Sequence, residues 1–100
     1  MNTAIPCGLI TNELVSNALK YAFKENVPGK IYIKLSLNED KNFTLVVEDN
    51  GIGLAKKIDM KNPKSLGLRL VITLVDQLKG NIEVDTSHGT IFKITFKELN

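Results

Sequence analysis

The sequence is poor in the residues that usually anchor catalytic or structural chemistry. Cys7 is the only cysteine, so no disulfide can form within the chain, and a reducing compartment is the natural setting. His88 is the only histidine, and with a single cysteine this excludes a Cys/His zinc cluster. Tryptophan is absent, and no apolar run approaches the ~18 residues of a membrane span. The first twenty residues have no basic start and carry Asn12, Glu13 and Asn17 inside the apolar stretch, unlike a signal peptide. The excess of charge is small: 13 Lys+Arg against 11 Asp+Glu, with the cations scattered. A nucleic-acid surface concentrates its cations on one face, so no nucleic-acid partner is expected. Lys56, Lys57, Lys61 and Lys64 read as a solvated loop.

What remains is an ordinary globular composition, 43% hydrophobic and 24% charged over 100 residues, enough for one small domain with a thin core. Residues 3–23 repeat at the helical period. Cys7, Ile10, Leu14, Ala18 and Tyr21 share a face widened by Val15 and Ala22. Thr3 suits an N-cap, and Pro6 lies where a first turn tolerates it. The period then changes to two. Ile31, Ile33, Leu35 and Leu37 predict a half-buried strand, and Phe43, Leu45 and Val47 a second one. The polar turn 38–42 between them predicts an antiparallel hairpin. Residues 49–64 hold two glycines, a proline and four lysines and read as a long loop. Leu68, Val71, Ile72, Val75 and Leu78 predict a second helix over 65–79, with Gly80 as its C′ residue. Ile82 and Val84 start a third strand, and Phe92, Ile94 and Phe96 mark a fourth. The order is α-β-β-lid-α-β-β. Each strand has one apolar face, which predicts an α/β two-layer sandwich with both helices on one side of the sheet.

Three polar groups interrupt this scaffold. Glu13, Asn17 and Lys20 stack at i, i+4 and i+7 on the first helix. A carboxylate, an amide oxygen and an ammonium together suit a Mg-nucleotide, although a solvent face with a Glu-Lys pair has the same spacing. Asp49-Asn50-Gly51-Ile52-Gly53 follows a strand. Asn-Gly is a hairpin signal, but residues 54–59 do not alternate, so the chain turns without returning as a strand. The two glycines let backbone approach a ligand closely, and Asp49 is placed to accept a hydrogen bond from an exocyclic amine. Gly67 opens the second helix, where amides are oriented toward an anion.

In this order the segments resemble the boxes of the ATP-binding catalytic domain of sensor histidine kinases, in the wider GHKL group shared with gyrase, Hsp90 and MutL. Residues 12–23 look like the N box, residues 49–53 the G1 box and residues 66–71 the G2 box. His88-Gly89-Thr90 is similar to the family's Gly-Gly-Thr segment. The resemblance implies a Bergerat-type fold with a mixed, mainly antiparallel sheet. It implies ATP and Mg2+ as ligands. Asp49 would bind the adenine amino group and Thr90 would support the ring. Asn17 would ligate Mg2+, and Glu13 would act as base or orient the metal shell. Lys20 would meet a phosphate. Gly51 and Gly53 would wall the nucleotide, and Gly67 and Leu68 would bring amides to the phosphates. Tyr21 would pack near the sugar or base, and residues 54–64 would form the ATP lid.

The resemblance further implies a cytoplasmic protein-histidine kinase, a phosphotransferase of a two-component system. It would pass the γ-phosphate to a histidine on a separate dimerisation domain and so serve a response regulator, with no membrane contact of its own. The short lid and the Leu-Gly-Leu-Arg-Leu-Val run resemble the subgroup with a variant dimerisation domain. Relative to the family the chain is expected to be N-terminally incomplete, and not to autophosphorylate alone. Ser65 and His88 depart from the family's glycines. A regulatory nucleotide-binding module, an anti-sigma-type serine kinase and a GHKL ATPase fragment are the alternatives.

Overall fold

The computed structural model describes residues 4–19, 29–51 and 66–97. Helix α1 spans Ala4–Asn17, strand β1 Ile31–Leu37 and strand β2 Asn42–Asp49. Helix α2 spans Leu66–Gln77, strand β3 Asn81–Asp85 and strand β4 Thr90–Lys97. The sheet order is β1-β2-β4-β3, and all three pairings are antiparallel. The expected hairpin is present, with Ile31 opposite Asp49 and Leu37 opposite Phe43. Both helices lie on one face of the sheet. No helix among the described residues is long and apolar enough to cross a membrane.

The inward side chains follow from the two periods. Ile10 and Leu14 of α1 meet Leu68, Val71, Leu74 and Val75 of α2, with Leu78 just beyond that helix, over Leu45, Val47, Phe92, Ile94 and Phe96 of the sheet. Phe43 and Phe96 face each other across β2 and β4 and stack with ring centroids 5.3 Å apart. Leu74, rather than Ile72, completes the buried stripe of α2, while Ile72 packs at its margin.

Strand β1 departs from the expectation. Its alternation is right, but Ile33 and Leu35 remain 53% and 52% exposed. As the sheet's edge strand it lies beyond the cover of α1. The two side chains line an apolar groove of about 690 Å3 with Cys7, Gly8, Thr11 and Val15. Burial raises the pKa of the Cys7 thiol above its ordinary value.

The end of α2 also differs. Gly80 N–H donates to the Val75 carbonyl at 3.0 Å and Lys79 N–H to the Asp76 carbonyl at 2.9 Å. These are the two bonds of a Schellman motif, and they make Lys79, at φ 54°, the left-handed C′ residue. Gly80 serves a different need: a methyl group there would lie 2.5 Å from the Thr95 carbonyl oxygen of β4. Lys79→Gly should therefore stabilise the protein by about 0.5–1 kcal/mol, because it relieves left-handed strain at some cost in unfolded-state entropy. A rise of about 2–8 °C in the thermal midpoint is the expected readout.

The β3–β4 turn is closed by Asp85, whose Oδ1 accepts the Ser87 N–H at 2.9 Å. That backbone bond, aided by the Ser87 hydroxyl and the neighbouring His88, holds the Asp85 carboxyl below the usual aspartate range.

Candidate functional site

The structure arranges the described candidate residues in two clusters. The first lies at the end of the sheet. Asp49 closes β2, and Thr90 opens β4 directly opposite it. Both point to the helix side and are almost wholly buried, at 5% and 1% exposure. Burying a carboxylate beside a hydroxyl in a small core is costly unless both find partners. Asp49 Oδ1 accepts the Gly51 N–H at 2.9 Å, which fixes the plane of the carboxylate. Thr90 Oγ1 has no hydrogen-bond partner among the described residues.

Two residues hold this corner together. Asn50 Oδ1 accepts the Lys30 N–H at 2.7 Å, and Asn50 N–H donates to the Lys30 carbonyl at 3.2 Å. The second residue of the Asp-Asn-Gly turn thus ties the end of β2 to the chain entering β1. Gly89 has φ +76°, and a Cβ there would collide with the Asp49 carbonyl oxygen and lie 3.1 Å from Asn50 Cα. Sequence reasoning gave neither residue a role. The Asn-Gly pair carried a turn signal, but the partner of Asn50 is twenty positions away.

The second cluster lies where α1 faces the start of α2. Glu13 and Asn17, one turn apart, are both half-buried. Residues 18–19 continue α1 as a π-helical turn directly after Asn17, a distortion frequent at functional sites. Glu13 and Gly67 line a recess of about 560 Å3 with Leu66, Arg69, Leu70 and Thr73. A methyl group on Gly67 would lie 2.5 Å from Glu13 Oε2 and 3.9 Å from Asn17 Oδ1, so both oxygens are directed at the first turn of α2. Leu68 turns its side chain into the core, which restricts any part it takes in the site to its backbone.

Glu13 and Asn17 offer the hard oxygen donors that Mg2+ accepts. Among the described residues no three His, Cys, Asp or Glu side chains gather around one point. The fit is therefore to a cation held by one or two protein oxygens, with phosphate and water completing its shell, as Mg2+ is commonly bound. Lys20, Tyr21, Gly53 and the lid at 54–64 lie outside the described residues.

Comparison with known proteins gives the family of the chain. Residues 3–100 match the family model described as histidine kinase-, DNA gyrase B- and HSP90-like ATPase. The chain is 33% identical over 95 residues to blue-light-activated histidine kinase 2 of Erythrobacter litoralis, covering 94% of this chain and 28% of that protein. It is also 33% identical over 91 residues to the anti-sigma F factor of Priestia megaterium, covering 81% of this chain and 60% of that one. The solved histidine kinase domain of the Erythrobacter litoralis EL346 blue-light-activated histidine kinase superposes with a TM-score of 0.85 at 31% identity, over 93% of this chain and 43% of that one. The chain thus spans less than two thirds of each of these relatives. A matching family model over nearly the whole chain and a shared fold lead to one conclusion: the chain belongs to the histidine kinase-, DNA gyrase B- and HSP90-like ATPase family.

Proposed function

We propose that this domain binds Mg-ATP and presents the γ-phosphate to a histidine on a separate dimerisation domain, as the catalytic part of a cytoplasmic two-component sensor kinase. The observation that carries the nucleotide half is the buried Asp49–Thr90 pair, an oriented carboxylate beside a hydroxyl with no partner among the described residues. Asp49 accepts the exocyclic amine of adenine, and Thr90 satisfies its hydroxyl against the ring or a water beside it. Gly51 and Gly53 wall the base, and Tyr21 packs near the sugar or base.

The phosphate half belongs to α1 and the start of α2. Asn17 and Glu13 direct oxygens at the metal side of the triphosphate, Lys20 meets a phosphate, and the first-turn amides at Gly67 and Leu68 face the anion. When bound, Mg2+ neutralises phosphate charge. The domain's own work is positioning and charge compensation, as phosphoryl transfer requires. Residues 54–64 act as the lid. The accepting histidine and the response regulator that it serves are supplied by other domains.

Asn17→Ala is expected to leave the circular dichroism spectrum unchanged and to remove the gain in ATP affinity on adding Mg2+. Nucleotide titrations with and without the metal measure it. An undiminished gain would remove Asn17 from the metal site.

A second reading, a serine kinase of the anti-sigma type, is supported by the similarity to an anti-sigma F factor. The two are separated by supplying labelled ATP and either a histidine-bearing dimerisation domain or a serine-bearing protein substrate. Acid-labile label on the dimerisation domain supports the histidine kinase, whereas acid-stable label on serine rejects it.

A further inference from the structure

We infer that Gly67 is a positioning residue that acts through Glu13: the missing side chain at the first turn of α2 is what seats the Glu13 carboxylate. The inference rests on the reading that Glu13 serves the phosphate end of the nucleotide.

The surroundings of Gly67 separate this role from ordinary packing. Among the described residues, the three nearest atoms that a methyl group would meet are Glu13 Oε2 at 2.5 Å, the Glu13 carboxyl carbon at 3.6 Å and Asn17 Oδ1 at 3.9 Å. All belong to polar side-chain ends of α1. None is backbone, and none is part of the apolar core. Among the described residues the glycine therefore meets no backbone of another element, unlike Gly80 and Gly89, where a methyl group meets main chain. Nor does it serve α2, because alanine is the better helix former. The space it leaves is filled by one carboxylate oxygen.

The consequence is specific. The obstacle to a methyl group is the far end of a flexible side chain, so Gly67→Ala is accommodated by rotation of Glu13. Asn17 at 3.9 Å is in ordinary van der Waals range and keeps its place. The substitution thus displaces the carboxylate without removing it.

The test is a double-substitution cycle on the full chain, with Gly67→Ala, Glu13→Ala and both together, read as ATP affinity with and without Mg2+. Gly67→Ala is expected to fold with an unreduced thermal midpoint. Its Mg-linked gain in affinity should fall roughly tenfold, the scale of one lost charged interaction. Glu13→Ala should lose a similar factor, and the double variant should lose less than about twofold more than Glu13→Ala alone. In the nucleotide-free protein, the 13C resonance of the Glu13 carboxyl should move on Gly67→Ala.

Two results overturn the inference. One is an unmoved Glu13 resonance. The other is a loss on Gly67→Ala that is equal with and without Mg2+, or that persists in full in the Glu13→Ala background; Gly67 would then act by its own contact. If Glu13→Ala leaves the Mg-linked gain intact, the reading of Glu13 itself fails, and the resonance alone decides whether Gly67 seats it.

Discussion

Asp49→Asn should weaken ATP binding by roughly 10–150-fold, which is the value of one hydrogen bond to a charged group. The substitution is nearly isosteric. Asparagine keeps an oxygen for the Gly51 N–H that Asp49 Oδ1 now accepts at 2.9 Å, so the turn after β2 persists. What changes is the other half of the group. In the proposed site, the carboxylate oxygen that would accept the adenine amine becomes an NH2 that opposes it, donor against donor. The site is buried, so water does not soften the mismatch. Calorimetric titration measures the affinity, and the thermal midpoint of the free protein reports that the fold is intact. Binding within twofold of the parent would show that Asp49 does not accept the base.

Gly89→Ala should destabilise the protein strongly. Two separate penalties meet at this position. A non-glycine residue at φ +76° carries left-handed strain of about 1–2 kcal/mol. The new methyl group also runs into the Asp49 carbonyl oxygen, and this obstacle is backbone held in the sheet. Overpacking against structure that cannot rotate away adds about 1–3 kcal/mol. A loss of about 3 kcal/mol would lower the thermal midpoint of a domain this size by about 12–24 °C. Nucleotide should recover part of that loss, since ligand binding favours the folded state. A midpoint within 3 °C of the parent would mean that the turn relaxes and that Gly89 does not support the Asp49 corner. The contrast with Gly67 is instructive: the same added methyl meets a movable carboxylate there and a fixed carbonyl here.

Much of the fold is local and was legible. Ile31–Leu37 is a strand because its apolar residues alternate, and Leu66–Gln77 is a helix because its apolar residues recur every three to four positions. The same periodicity placed Ile10, Leu14 and Ala18 on the inner side of α1, and all three are buried. The misreadings share one cause, which is dependence on distant neighbours. Ile33 and Leu35 carry a buried pattern, but their exposure is set by where α1 lies over the sheet. Gly80 looks like a helix cap, yet Lys79 takes the left-handed turn and Gly80 answers to the Thr95 carbonyl, fifteen positions on.

The motif segments that contain Glu13, Asn17, Asp49 and Gly67, taken in their order along the chain, carried the resemblance to the family that the family model bears out. Only the tertiary structure decided how those groups are held. The register of β2 on β4 sets the acid against a threonine whose hydroxyl has no hydrogen-bond partner among the described residues. The packing of α1 against α2 gives the Glu13 carboxylate its place over a glycine fifty-four residues away. Period and residue type act within a few positions along the chain, whereas a close contact depends on chain closure, and the sequence carries no direct mark of it.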